Sequence, residues 1–386
     1  MTERLFDADG YLKQFQATVL DCAEDEKGWY AVLDRTAFFP EGGGQSGDTG
    51  RLGKITVTDT VEKKGKICHR VERPLKIGAA IEGTVNFQER FDKMQQHTGE
   101  HILSGIVHTL YGYDNVGFHL GAELTTLDFN GELSKEQIHD LELRANEAVF
   151  SNLPVNVLYP TEQELSRFSY RSKIEIEGQV RLVEIPGIDL CACCAPHVKQ
   201  TGEVGMIKIT AAERHRGGCR LTMVCGRRAF RDYEEKQQSV GKISAALSAK
   251  PDQVYESVVH LQRQQQSLRE QLNSVQALYL SEKLEKIRRE DPVVCIFEEG
   301  LDGIAVRNFV NAAMERCDGI CGVFLGNEKE GYRYILGSRQ GDVRPVSKQL
   351  NEKFSGKGGG KPGMVQGTLY GKQELIEKEL KFIVLQ

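Results

Sequence analysis

The sequence predicts an α+β protein in four parts, and three changes of pattern along its 386 residues predict it. Short β-type runs punctuated by glycine fill residues 1–87. Strands and helices then mix through residues 88–230 in the manner of an α/β two-layer core, and from 231 to 290 the strands give way to a helical stretch. Residues 291–386 return to β-runs around a helix, a C-terminal α/β domain. A chain of this length exceeds one ordinary domain. With 40% hydrophobic and 27% charged residues it has the composition of conventional globular cores.

Each part has its own signal. GWYAVLDRTAFF, GDTGRLGKITVTDTVEKKG and AAIEGTVNF alternate as strands do between turn residues, which reads as a small barrel or sandwich. QQHTGEHILSGIVHTLYG reads as a helix with His97, His101, Ser104 and His108 on or near one face. Ser134 opens another helix, with Glu136 and Gln137 in its first turn. QVRLVEIPGIDLCACCAPHV reads as a strand running into a tight loop. Pro251 and Asp252 open a helix that runs to about Arg289. In it Val254, Val258, Leu261, Gln265, Leu268, Leu272, Val275 and Tyr279 follow alternating four–three spacing. That seam fits either a helical hairpin against the rest of the chain or a dimeric coiled coil. PVVCIF, GICGVFLG and YRYILGS then flank the helix VRNFVNAAMERC.

The bulk numbers exclude several classes. A net charge of −5 rules out a wholly basic nucleic-acid binder, though not local basic patches. Met1–Gly10 is polar and no apolar run approaches about 18 residues, so neither a signal peptide nor a membrane span is expected. Ten cysteines in so long a chain do not read as a disulfide framework. Cys22, Cys68, Cys295, Cys317 and Cys321 sit among apolar neighbours and are expected as free thiols, while Cys191, Cys193 and Cys194 cluster. A reducing cytoplasm is the expected compartment.

His97 and His101 are four residues apart, so on a helix both imidazoles reach one point. Far downstream, Cys193 and His197 repeat that spacing in a loop dense with ligand-capable side chains. Three nitrogens and one thiolate suit a single tetrahedral Zn²⁺ per chain. Cys191 and Cys194 compete with Cys193 for the thiolate place. A shell filled by four protein ligands favours an ion that organises over one that generates hydroxide. Glu100, immediately before the second histidine, is expected to point elsewhere on the helix.

Three motifs in order resemble the editing domain shared by alanyl-tRNA synthetases and the free-standing AlaX proteins. HTGEH (His97 to His101) and CCAPH (Cys193 to His197) match that family's zinc-ligand motifs, and TAFFPEGGGQ (Thr36 to Gln45) matches its upstream strand and glycine loop. GKGGGKPGMVQG, from Gly356 to Gly367, is similar to the glycine-rich end of alanyl-tRNA synthetases, which is also appended to DHH phosphoesterases; no DHH motif is present. The departures are Pro196 and Phe39, where threonine and tyrosine are common, and Gly363, Val365 and Thr368 around the C-terminal signature. The resemblance implies the long form of AlaX. Its parts are a β-barrel (1–87), a zinc-binding editing core (88–230), a helical coiled-coil linker (231–290) and a glycine-rich tRNA-binding domain (291–386). Residues before Thr36 are too few to hold an aminoacylation domain, so a free-standing protein is expected.

What the resemblance implies chemically is hydrolysis of the ester joining a wrong amino acid to alanine tRNA. The substrates would be Ser-tRNA(Ala) and, in the second place, Gly-tRNA(Ala). Thr36 would contact the serine hydroxyl, Gly42, Gly43 and Gly44 would bring backbone close to the acylated ribose, and Gln45 would orient water or the carbonyl. Water would attack directly while Zn²⁺ positions the substrate. Arg214, Arg216, Arg220, Arg227, Arg228 and Arg231 crowd one stretch, and Lys348, Lys353, Lys357 and Lys361 gather around the glycine signature, as tRNA phosphate contacts. A homodimer through the linker or the C-terminal domain is a further expected partner. The competing expectation is a catalytically weak, zinc-containing tRNA-binding or regulatory protein that keeps the editing fold, with Pro196 and Phe39 as its support.

Overall fold

The structure is a computed structural model that describes residues 2–172 and 178–385. It is mixed α+β and divides into two units, Met1–Gly241 and Lys242–Gln386.

In the first unit, the short β1 (Glu3–Arg4) and α1 (Leu5–Ala8) lead into β2 (Gln14–Asp25) and β3 (Gly28–Leu33). β4 (Arg35–Thr36) pairs in parallel with β1, and β5 (Gly50–Leu52), β6 (Ile55–Lys63), β7 (Lys66–Val71) and β8 (Ala80–Val85) follow. β2, β3, β7, β6, β5 and β8 close a barrel in that order. Alternation decides what fills it: Phe15, Ala17 and Val19 of β2 point inward, against Leu33, Phe38, Leu52, Val57 and Val85.

α2 (Phe87–Tyr111) fixes the barrel to the rest of this unit. Arg90, 1% exposed, donates from Nε to both Asp48 oxygens at 2.9 and 2.8 Å, and to the carbonyls of Gly10 (3.0 Å) and Ala37 (2.6 Å). A buried charge pair is costly unless its remaining hydrogen-bonding groups are satisfied, and here backbone carbonyls take them. From Arg90 to Val107 the helix has many buried residues on all sides, so it is a core element, and it ends on left-handed Gly112.

β9 (Asn115–Leu120), β10 (Thr125–Phe129), α3 (Lys135–Phe150), β11 (Asn156–Leu158), α4 (Glu162–Leu165), β12 (Leu182–Ile185) and β13 (Asp189–Ala192) come next. β14 (Ile207–His215), β15 (Gly218–Cys225) and α5 (Gly226–Leu247) complete the run. The sheet β14-β15-β10-β9 is layered with α2 and α3 around Met94, Leu103, Val107, Leu127, Leu141, Leu221 and Met223. A smaller sheet, β11-β12-β13, carries the cysteine loop. α3 starts where its sequence signal places it: Ser134 Oγ accepts from the Gln137 amide at 3.2 Å, and Gln137 Oε1 accepts from the Ser134 amide at 2.8 Å.

In the second unit a 3₁₀ turn, Pro251–Gln253, opens α6 (Val254–Glu285). It is followed by β16 (Val293–Glu298), α7 (Gly303–Arg316), β17 (Ile320–Asn327), β18 (Gly331–Gly337), α8 (Arg344–Lys353), β19 (Lys357–Lys361), β20 (Met364–Leu369) and α9 (Gln373–Leu385). The sheet order is β16-β17-β18-β20-β19, with β16 and β17 parallel across the α7 crossover. Two apolar clusters, one around Phe324 and Tyr334 and one around Val306 and Val310, supply its core. The stretch expected as a coiled-coil linker holds most of α5 and all of α6, and α6 is largely solvated. Leu261, Leu268, Leu272 and Val275 of its seam are exposed, and its last turns join the core through Leu280. All ten cysteines are free thiols, and no helix among the described residues is long and apolar enough to cross a membrane.

Candidate metal centre

α2 presents His97 and His101 one turn apart, both 2% exposed. β13 leads into Cys193, and the loop beyond it turns His197 back toward the helix. The ligand atoms of these four residues all lie within 4.8 Å of one another. Cys193 Sγ is 3.5 Å from His97 Nε2 and 3.4 Å from His197 Nε2. Of the competing thiols, Cys194 is exposed, and Cys191 faces His101 and Asp189 in a separate cluster. Cys193 therefore completes the set.

Each histidine spends its other nitrogen on a partner outside this set. His97 Nδ1 is 2.9 Å from Gln45 Oε1, His101 Nδ1 is 2.9 Å from Asp189 Oδ2, and His197 Nδ1 is 3.0 Å from Thr98 Oγ1. An amide oxygen and an ionised carboxylate only accept, so His97 and His101 each carry a proton on Nδ1, and His97 offers Nε2 inward. Burial pushes the His197 imidazole down to about 3, toward the neutral form that ligates. Burial alone would raise the Cys193 thiol. Facing His97 and His197, with hydrogen bonds from His101 and His197, hold it well below its ordinary value. A half-buried thiolate facing three histidines is a donor set that fits Zn²⁺.

A cavity of about 510 Å³ opens beside these residues, with Gly43, Gly44, Phe118, Gln179, Arg181 and Cys194 in its wall. Gly42 and Gln45 exchange backbone hydrogen bonds at 3.1 and 3.2 Å, making a two-residue hairpin tip of Gly43 (φ 62°) and Gly44 (φ 84°). Both angles lie in the left-handed region that favours glycine, and a Cβ on Gly44 would also meet Phe118 at 2.6 Å. A Cβ on Gly43 would lie 3.4 Å from the His97 ring, so the tip rests directly on a ligand. Gly43 and Gly44 thus line the cavity, while Gly42 spends its amide inside the hairpin.

Two expected substrate contacts are otherwise engaged. Thr36 is fully buried: its hydroxyl lies 2.8 Å from His69 Nε2 and accepts from the Phe38 amide at 3.1 Å. It is not part of the cavity wall described above. Gln45 gives its Oε1 to His97, and its Nε2 is buried without a partner among the described residues. Glu100, expected to point away, instead brings Oε2 to 3.8 Å from His101 Nε2, while Oε1 accepts from Ser104 and Asn115 at 2.7 Å each. Neither sequence departure opens the site. Phe39 packs edge-on against Phe6 in an apolar cluster, and Pro196 lies in the loop against Gly10.

The cationic residues separate. Arg214, Arg216 and Arg227 are exposed, the first paired with Glu132 at 3.1 Å. Arg228 is no surface cation: it is 9% exposed, donates from Nε to Asp92 at 2.9 Å, and binds the Gly121 carbonyl at 2.9 Å. Arg220 is committed to Asp128. Lys357 and Lys361 are exposed at the two ends of β19 in the second unit. Sequence reasoning missed Asp189, Arg171, Thr98, Arg181 and His69. Thr98 and Asp189 sat inside quoted motifs; Arg171 and His69 carry no local signal.

Three family descriptions match successive stretches: "tRNA synthetases class II (A)" over residues 11–89, "Threonyl and Alanyl tRNA synthetase second additional domain" over 180–238, and "DHHA1 domain" over 290–384. Successive parts of the chain are therefore similar to tRNA-synthetase domains and, at the C-terminal end, to a DHHA1 domain. The chain is 29% identical to the alanyl-tRNA editing protein AlaX-L of Pyrococcus horikoshii, covering 97% of this chain and 96% of that one. It is 26% identical to the mouse alanyl-tRNA editing protein Aarsd1, over 93% and 92%. Against the alanine–tRNA ligase of Pyrococcus abyssi it is 29% identical over 99% of its own length but 44% of the ligase. The chain is thus similar over nearly its whole length to free-standing alanyl-tRNA editing proteins.

Proposed function

We propose that this chain is an aminoacyl-tRNA hydrolase acting in trans, which removes serine, and secondarily glycine, from alanine tRNA with one Zn²⁺ held by His97, His101, Cys193 and His197. The observation that carries this reading is the convergence of those four ligand atoms under the glycine tip at the cavity. Such an ion, when bound, would supply fixed positive charge that orients the substrate amino group or terminal ribose. The chain does the rest. Gly43 and Gly44 bring backbone against the ester, and Gln45, braced on His97 through Oε1, retains the Nε2 donor that the proposal assigns to the ester carbonyl. Thr36 enters through the family resemblance. Because its proton is committed to His69, it offers only an acceptor lone pair, the complement of a serine hydroxyl. Size selection gains only about 1–3 kcal/mol per methylene-sized difference, whereas a hydrogen bond required by the pocket discriminates further.

Arg214, Arg216, Arg227, Lys357 and Lys361 are the proposed tRNA phosphate contacts. A homodimer through the exposed heptad seam of α6 and a cytoplasmic location belong to the same proposal. One observation favours the second reading, a catalytically weak tRNA-binding protein: both Thr36 and Gln45 are already hydrogen-bonded to histidines. A deacylation panel separates the two, using serine, glycine and alanine on alanine tRNA and serine on its own tRNA, beside metal analysis. Release of serine from alanine tRNA, survival of the alanyl ester and one zinc per chain are expected. Intact Ser-tRNA(Ala) with zinc fully loaded would leave only the second reading.

A further inference from the structure

The three outer partners of the histidines are unequal. Gln45 and Thr98 are neutral, whereas Asp189 is a carboxylate whose side chain is 1% exposed. Both its oxygens are used by Arg171: Nε to Oδ1 at 2.7 Å and NH2 to Oδ2 at 2.9 Å. Oδ2 also faces His101 Nδ1. The Arg171 backbone is itself stitched to β13, its amide donating to the Leu190 carbonyl at 2.8 Å and its carbonyl accepting from Ala192 at 2.9 Å. Along an extended strand, Asp189, Cys191 and Cys193 share one face. One short segment thus supplies a ligand and the group that aims another ligand, with Arg171 locking both ends.

The same atoms admit a rival, since His101, Asp189 and Cys191 also lie within 4.8 Å of one another. A second cation there is disfavoured. Arg171 already neutralises Asp189, and His101 Nδ1 points its proton at the carboxylate.

We propose that the Arg171–Asp189 pair is a positioning device for the metal. It holds His101 in the tautomer and rotation that send Nε2 to the centre, and it thereby sets metal affinity. Resting on the zinc reading of the site, this inference names two residues for which that reading has no role. Outer-sphere partners of ligating histidines typically carry a 10–100-fold effect on metal affinity.

The test measures zinc affinity of the full-length, metal-stripped protein by competition with a chromogenic chelator. Thermal midpoints with and without metal and the visible spectrum of the Co²⁺ form accompany it. Asp189→Asn is expected to weaken zinc by about 10–100-fold while keeping one ion per chain at saturation. Arg171→Gln is expected to weaken it less, in the same direction, with Arg171→Lys in between. Arg220→Gln, which breaks the Asp128 pair on the sheet, should leave affinity unchanged. Wild type that binds no zinc would sink the site reading. Wild type that binds zinc as tightly as Asp189→Asn would sink only this inference, as would variants that lower both thermal midpoints equally. A stoichiometry falling from two to one would install the second ion instead. Should Asp189→Asn fail to fold, the arginine variants carry the same test.

Discussion

His69 is a neutral imidazole fixed by its surroundings. Its Nδ1 lies 3.1 Å from the Ala31 carbonyl, which only accepts, so the proton sits on Nδ1 and Nε2 takes the Thr36 hydroxyl. Burial pushes its pKa down to about 4. An unfolded chain, at about 6.5, takes the proton first. The stabilisation is therefore complete above about pH 6.5, falls away as pH drops toward 4, and changes no further below that. His69→Gln should lack this component: urea unfolding at pH 7 and pH 5 is expected to show wild type losing about 2 kcal/mol more than the variant. Equal losses would mean His69 is charged in the folded state. At this scale the convergence of His97, His101, Cys193 and His197 was legible because a metal needs few residue types at fixed spacing. Their Nδ1 partners were not, since Gln45, Asp189 and Thr98 are chosen by which distant segment passes the ring. The His69 partner of Thr36 was equally illegible, because nothing local announces a histidine 33 residues further along the chain.

Elements were more legible than their surroundings. The capping box at Ser134 and the long α6 follow from local rules, but the exposure of the α6 seam follows from what packs on it, which no period encodes. α2 shows the same division. Glycine inside a helix costs about 1 kcal/mol relative to alanine, yet Gly105 sits within its C-terminal third. A Cβ there would lie 2.4 Å from the Ile188 carbonyl oxygen and 2.7 Å from the Asp189 Cβ. The glycine lets α2 press against the turn that carries Asp189. Gly241, near the end of α5, has open space around it. The same substitution should therefore change sign with position. Gly105→Ala is expected to lose about 1–3 kcal/mol and to weaken zinc as Asp189 is pushed away. Gly241→Ala is expected to gain up to about 1 kcal/mol with zinc binding untouched. Denaturant midpoints with chelator competition check both, and a neutral Gly105→Ala would refute the close packing.

At the scale of the whole chain, each unit carries its own core. Residues such as Phe38, Leu103 and Leu221 serve the first, and Phe324, Val310 and Leu380 serve the second. All four residues of the candidate metal centre belong to Met1–Gly241. A ligand that binds only the folded form stabilises it by about 2.7 kcal/mol at a hundred times its dissociation constant. For a unit of this size each kcal/mol moves the midpoint by roughly 2–4 °C. Calorimetry of the full-length protein should therefore show two transitions, and stripping zinc should lower one by roughly 5–10 °C while the other stays in place. The stationary transition is assigned independently. Val310→Ala, which opens a cavity beside Val306 and Cys321, should lower it and leave the zinc-sensitive one alone. A single transition that moves as a whole on both treatments would mean that the two cores unfold cooperatively, and that metal binding reaches the C-terminal unit through stability alone.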